Sequence, residues 1–454
     1  MTPTQIRSLT YSRTGWLEES PADWEMVPLG FLTRMRGGCT PSTTEQEFWD
    51  GDVPWVTPKD MKCVEISDSI DHVTEEALAR TTLEFVERDA ILVVVRGMIL
   101  AHSFPVAIAR CRVTINQDMK ALICSPRLLP RFALWTLIGF ADVLVSLTDE
   151  SAHGTRKLDA STLAHFPIAL PDISTQHQIA SYLDRETAKI DRLIAKKREL
   201  LELLEEKRQA LISRCVTKGL PPEAARAAGL DPHPQMKDSG IDWLGDVPAH
   251  WEVTNIRHAF FNLDSRRIPV AAELRASLEK TYPYYGASGI IDYVDDYIFD
   301  EPLILVAEDG ANLLSRSTPL AFLATGKYWV NNHAHILRPK DGELHYWVHV
   351  LQTIDYTPLV TGAAQPKLTS DRLNSIGLPK PPVGEQRAIA QFLGVRTGRI
   401  GKIAETVEAA IERLQEYRTA LITAAVTGKI DVRDQNPDAD DPDTVEPEPL
   451  AETH

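Results

Sequence analysis

The sequence predicts an α+β protein: two globular domains joined by two long antiparallel coiled-coil helices, arranged as a pseudo-two-fold internal repeat. Three observations predict it. Residues Pro171–Thr217 match Pro381–Thr427 at 16 of 47 positions without a gap. A start motif, Trp16-Leu17 with Pro21 and Trp24, returns as Trp243-Leu244 with Pro248 and Trp251. Between these landmarks lie apolar runs of strand length, broken by glycine- and proline-rich loops. Self-similarity of this kind means one plan used twice.

A chain of 454 residues is longer than one hydrophobic core usually serves. Its 43% hydrophobic and 25% charged residues are those of a globular protein. The five cysteines, Cys39, Cys63, Cys111, Cys124 and Cys215, form no CxxC pair. That argues against a zinc ribbon or disulfide framework and for a reducing compartment. The opening Met-Thr-Pro-Thr-Gln-Ile-Arg lacks the apolar core of a signal peptide, and runs such as Ala90–Leu100 are too short and interrupted to span a bilayer. A cytoplasmic location without membrane contact is expected. The net charge is −16. Residues 431–454 hold nine carboxylates and one arginine, a net of −8 and half of that total, and are expected to form a disordered tail. An acidic body requires that any nucleic-acid contact rest on local basic patches or on partner proteins.

In chain order the plan reads as follows. Residues 1–24 hold the first start motif and 25–170 the first domain, with strand-like Ile91–Val95 and Val106–Ala109. Residues 171–218 form the first long helix, and 219–250 a linker with the second start motif. The second domain covers 251–380, with strand-like Leu303–Ala307 and Ala321–Leu323, the second long helix 381–430, and the tail 431–454. Each helix follows prolines (Pro171; Pro381-Pro382) that end a strand-like run, with Ser174 or Gly384 placed to cap it and Gln176 or Gln386 at its start. Leu393, Ile400, Val407, Leu414 and Leu421 stand seven apart. Leu183, Ile190, Lys197, Leu204 and Leu211 do the same, with Leu193, Ile194, Leu200 and Leu201 filling the stripe. Such heptads predict a coiled-coil seam, the alternative being two core helices of one bundle. Lys197 is either a polar register device or a place where the seam is exposed. Some 42 residues at ~1.5 Å each would make a rod of roughly 60 Å.

The domain motifs are specific in combination. The first domain carries Gly37-Gly38-Cys39-Thr40-Pro41-Ser42, Phe48-Trp49, a run from Gly51 to Met61, Arg96-Gly97, and Ile115-Asn116-Gln117-Asp118-Met119-Lys120. The second carries Tyr282-Pro283-Tyr284-Tyr285-Gly286-Ala287-Ser288-Gly289-Ile290, Glu308-Asp309-Gly310-Ala311, and Val330-Asn331-Asn332-His333-Ala334-His335-Ile336-Leu337. Met236 to Gly245 lies between the halves. In this order, on a duplicated frame, these motifs resemble the specificity subunit of type I restriction-modification systems over nearly the whole chain except the acidic tail. The first start motif is abbreviated relative to that family, and the stretch before Met236 is unusually rich in glycine, alanine and proline.

The resemblance implies a non-catalytic subunit that reads a bipartite, asymmetric sequence in double-stranded DNA, one target recognition domain per half-site. It implies that the helices fix the unread spacer, with the domains near one helical turn apart, about 34–36 Å. Two modification subunits, which use S-adenosylmethionine to methylate adenine, would dock on them, and restriction translocase subunits would join some assemblies. This chain would bind no cofactor itself.

Base edges are read by paired donors and acceptors, and phosphates by Arg, Lys and backbone amides. The expected contacts are Lys59, Arg96, Asn116, Gln117, Lys120, Arg156 and Lys157 in the first domain. In the second they are Tyr284, Tyr285, Arg316, Asn331, Asn332, His333, Gln365 and Lys367. Each has a structural alternative: Tyr284-Tyr285 as core aromatics, Asn331-Asn332 as strand terminators. Enzyme readings find little support. Gly326-Lys327 and Gly428-Lys429 lack the rest of a phosphate loop, and no Asn-Pro-Pro-aromatic stretch exists to hold an adenine for methylation. His333-x-His335 has no evident third metal ligand. Asp60-Met61-Lys62 and Asp118-Met119-Lys120 mimic half of a nuclease metal site. A nuclease and a purely structural scaffold are therefore the rival classes.

Overall fold

The computed structural model describes residues 20–150, 154–362 and 366–432. Trp16-Leu17, Gln365 and the tail from 433 onward lie outside the described residues. The chain divides into two compact units, one built from residues up to 196 with those from 410 onward, the other from 197–409.

The first unit holds β1 (Thr33–Gly37), β2 (Trp49–Val56), β3 (Asp71–Val73), β4 (Ile91–Val94), β5 (Val106–Ala109), β6 (Thr114–Ile115) and β7 (Met119–Cys124). One sheet has the order β1-β7-β4-β5, with Glu65–Ile66 at its edge; a second has β3-β2-β6, in which β2 and β6 are parallel. All four residues of β4 and of β5 are buried, which explains their unbroken apolar runs. Helix α1 (Pro130–Gly139) starts with proline at its first turn and buries Phe132, Leu134 and Trp135. The long helix α2 runs Ile173–Lys218.

The second unit repeats this plan with β8 (Phe260–Asn262), β9 (Tyr282–Gly286), β10 (Gly289–Val294), β11 (Leu303–Ala307), β12 (Ala321–Ala324), β13 (Lys327–Val330) and β14 (Ala334–Pro339). Its sheets are β8-β14-β11-β12 and β10-β9-β13, the latter extended by Phe299–Asp300, and β9 and β13 are again parallel. Alternate residues of β11 serve two cores: Leu303 and Leu305 pack with Phe299, Tyr328 and Ile336. Ile304 and Val306 face the core of Trp347 in α3 (Leu344–Thr353). A strand covered on both faces has no polar side to show. The second long helix, α4, runs Val383–Val426.

Each unit contains part of both long helices, and in each they run antiparallel. In the first unit Arg418 near the end of α4 pairs with Asp191 of α2 at 2.9 Å. In the second, Ile212, Cys215 and Val216 near the end of α2 share a core with Ile389 and Leu393 near the start of α4. Of the seam positions, Leu183, Ile190, Leu393, Val407 and Leu421 are buried, while Leu204, Leu211, Ile400 and Leu414 are half-buried, as is Lys197. Both helices stop at a glycine in the left-handed region, Gly219 (φ +82°) and Gly428 (φ +73°). Gly219 lies against Pro248 and Trp251, and Gly428 against Pro21 and Trp24, so the start motif packs on a helix end in each unit. Among the described residues no helix is long and apolar enough to cross a membrane.

Candidate nucleic-acid interface

In the first unit the chain leaves β6 at Asn116. Its N–H donates to the Val56 carbonyl at 3.1 Å, and its buried side-chain oxygen accepts the Asp118 N–H at 3.1 Å. This Asx turn leaves Gln117 exposed at the tip. Gly38 crosses the turn so closely that a Cβ would overlap the carbonyls of Ile115 and Asn116. The Asp118 carbonyl accepts the N–H groups of Val95 and Arg96 at 2.8 and 3.2 Å. Arg96 pairs in turn with Lys157 across two short antiparallel strands. The fold thus brings together Arg96, Asn116, Gln117, Arg156 and Lys157 from three distant segments, with Lys120 opening the adjacent strand. The Thr40 hydroxyl donates to the Gln117 side chain. Arg156 lies 3.7 Å from Glu150 and Lys157 2.5 Å from Asp159, whereas the exposed Arg96 guanidinium bonds to no described residue.

The second unit builds the same turn. The Asn331 N–H donates to the Tyr285 carbonyl at 3.0 Å, and its buried side chain accepts the His333 N–H at 2.8 Å. The His333 carbonyl accepts the Glu308 N–H at 3.0 Å, and Asp309 bridges to Lys367 as Arg96 does to Lys157. Asn332 is the exposed tip residue. His333 Nδ1 lies 2.7 Å from an Asp309 carboxylate oxygen.

Beneath the turn sits a buried ion-pair network. His335 is fully buried, its Nδ1 2.6 Å from Asp264 and its Nε2 donating to the Leu368 carbonyl at 2.8 Å. Glu308 pairs with Arg267, and with Lys367 at 3.1 Å. Burial opposes the charge on Glu308, but the Arg267 bond and the neighbouring cations outweigh it, and its carboxyl titrates below its ordinary range. Here the structure corrects the sequence reading of His333-x-His335, which found no third metal ligand. Asp264 and Glu308 bring ligand atoms within 4.8 Å of those of His335, while His333 stands outside the trio. Both carboxylates are already engaged by Arg267, so the group acts as an internal clamp on the turn.

Other expected contacts are built into the domains. Tyr284 is buried, its hydroxyl accepting the Val270 N–H at 3.0 Å under the Arg275 guanidinium. Tyr285 is half-buried and stacks on Phe322. These two take the core-aromatic alternative. Arg316 donates to the carbonyls of Gln352 and Ile354 at 2.6 and 3.1 Å, closing the end of α3. Lys59 is exposed in the loop after β2. Asp60 holds that loop, accepting from Thr57 N–H and hydroxyl and from Ile70 N–H at 2.8–2.9 Å, so it is a turn former. Sequence reasoning missed the side chains of Thr40, Arg267, Glu308 and Asp309. One signal was available: Gly97 (φ +144°) and Gly310 (φ +99°) follow Arg96 and Asp309 and align them.

Two copies of one α/β domain, each with a pinned polar turn and a long helix, define a protein of paired recognition modules. Residues 21–203 and 248–413 match the family of type I restriction modification DNA specificity domains, and the chain belongs to that family. It is 30% identical over 180 residues to the specificity subunit of the type I restriction enzyme EcoR124I/EcoR124II of Escherichia coli, covering 39% of this chain and 45% of that one. It is 34% identical over 163 residues to a putative type I restriction enzyme specificity subunit of Haemophilus influenzae, covering 36% and 39%. The matched stretches span less than half the length of these curated relatives. A chain from a structural study of complex assembly and conformational transition in the type I R-M system shares the fold. Its TM-score is 0.60 at 13% identity, covering 91% of this chain and 100% of that one.

Proposed function

We propose that this chain is the non-catalytic DNA-recognition subunit of a cytoplasmic type I restriction-modification complex. Each domain reads one half of a split, asymmetric site in double-stranded DNA. The paired helices set the unread gap and dock two modification subunits, which supply S-adenosylmethionine chemistry; a restriction translocase is a further expected partner. The observation that carries this reading is one buried-asparagine turn used twice with different tips: Arg96 and Gln117 in one domain, Asp309, Asn332 and His333 in the other. A shared scaffold with unlike tips is what two half-sites of unlike sequence require. Lys59, Lys120, Arg156, Lys157 and Lys367 are assigned to phosphates, a local supply of positive charge on an acidic chain. Gln365 is kept as a contact of the second half-site, and Asn116 and Asn331 as positioning residues. Tyr284 is withdrawn because its hydroxyl is engaged inside the fold, while Arg316, exposed although its guanidinium donates to two carbonyls, is kept as a phosphate contact.

Adenine methylation mapped genome-wide, in cells supplying the modification subunits with and without this chain, tests the reading. A split motif that appears only with the chain is expected. Methylation by active modification subunits that is unchanged by the chain would overturn it in favour of the scaffold.

A further inference from the structure

We propose that Asp309 and His333 form a base-reading dyad in the second domain, in which His333 Nε2 accepts a hydrogen bond from an exocyclic amine in the DNA major groove. The inference rests on the DNA-reading function proposed above and names the group that reads.

The dyad is oriented from within. The Asp309 carboxylate lies 2.7 and 2.9 Å from His333 Nδ1, which makes Nδ1 the donor to it and places the lone pair of the uncharged tautomer on Nε2. The Asp309 side chain is 13% exposed and that of His333 45%, which makes the carboxylate the orienting group and the imidazole the contacting one. The backbone at His333 is held at both ends, its N–H by the Asn331 side chain and its carbonyl by the Glu308 N–H. Arg267 and Lys367, the nearby cations, are bonded to Glu308 and so do not draw Asp309 away from the ring.

The repeat shows what this position can do. Arg96 occupies the place of Asp309 in the first domain, exposed and with its guanidinium bonded to no described residue, and Asp118 the place of His333. A guanidinium offers only donors and suits the O6 and N7 acceptors of guanine. The Asp309–His333 pair offers an acceptor on the same scaffold. In the major groove, the donors it can meet are adenine N6 and cytosine N4; guanine O6 or thymine O4 would oppose the lone pair. The same scaffold therefore presents a guanidinium donor in one domain and an imidazole acceptor in the other.

The test uses the full chain assembled with its modification subunits. His333→Ala is expected to relax one position of the second half-site in the methylation map and to leave the first half-site unchanged. Asp309→Ala should relax the same position through loss of ring orientation, while His333→Gln, which keeps an acceptor, should retain part of the preference. Duplexes then carry an analogue lacking the amine at that position, purine for adenine or 2-pyrimidinone for cytosine. Methylation by the unsubstituted chain should fall about ten-fold, the scale of one hydrogen bond to a base, and methylation by the His333→Ala chain should not respond. The proposal is overturned if His333→Ala leaves the motif intact or lowers all sites uniformly, as a structural role would. It is also overturned if both chains feel the missing amine equally. Absence of any split motif with the unsubstituted chain would instead remove the DNA-reading function itself.

Discussion

At the scale of single residues, buried amides do most of the positioning. Gln176 and Gln386 are fully buried at the starts of α2 and α4. Gln176 accepts the Leu129 N–H at 2.8 Å and donates to the carbonyls of Arg127 and Pro171. Gln386 accepts the Glu343 N–H at 2.9 Å and donates to the Pro381 carbonyl. Each thereby caps a shorter helix, α1 or α3, from the first turns of a long one. Truncation would strand buried donors and acceptors, so Gln176→Ala and Gln386→Ala should each cost about 1–3 kcal/mol in denaturant titration. Gly38→Ala should behave differently. Its methyl would push on the Asn116 turn at a cost of about 1–3 kcal/mol, and methylation mapping should show recognition of the first half-site impaired while the second is untouched.

At the scale of elements, α3 and α4 hold opposite kinds of reserve. His349 of α3 has a buried Nδ1 with no hydrogen-bond partner among the described residues. Burial, with repulsion from His345 and Arg208, lowers its value from 6.5 to about 4. The folded state thus binds its proton less readily than the unfolded chain. Stability from this group is complete above about pH 6.5 and lost as pH falls towards 4, and His349→Phe should flatten thermal melting across that window. Glu65 acts lower. Its bond to Arg110, aided by Arg131 against burial, holds it at about 2 rather than 4.5, so its contribution is present above 4.5 and lost as pH falls through 2. On α4, Gly394, Gly398 and Gly401 have open space where a Cβ would sit. Replacing each by alanine should stabilise the isolated chain by roughly 0.5–1 kcal/mol by removing unfolded-state freedom, seen as a raised melting temperature.

At the scale of the whole molecule, the same strand pairings recur in both units, β1 to β7 answering to β8 to β14. Modules of this kind should be exchangeable. Replacing residues 25–170 with the corresponding domain of another family member is expected to change one half of the methylated motif. A change in both halves, or in neither, would contradict independent modules.

The duplication, the heptads and the central strands were legible in the sequence because their signals are local or periodic: an apolar residue every seven positions, or an unbroken run of four. The candidate site was legible only as ingredients. Asn116 and Asn331 read equally well as base contacts or strand ends, and Tyr284 as either a contact or core, since burial is a property of neighbours far along the chain. That Asp309 lies beside His333, that the Arg96 guanidinium bonds to no described residue where Asp309 is paired, and that Asp264 and Glu308 close on His335 all follow from crossings between strands dozens of residues apart. Periodicity determined the frame, whereas long-range strand register decided which side chains stand on it.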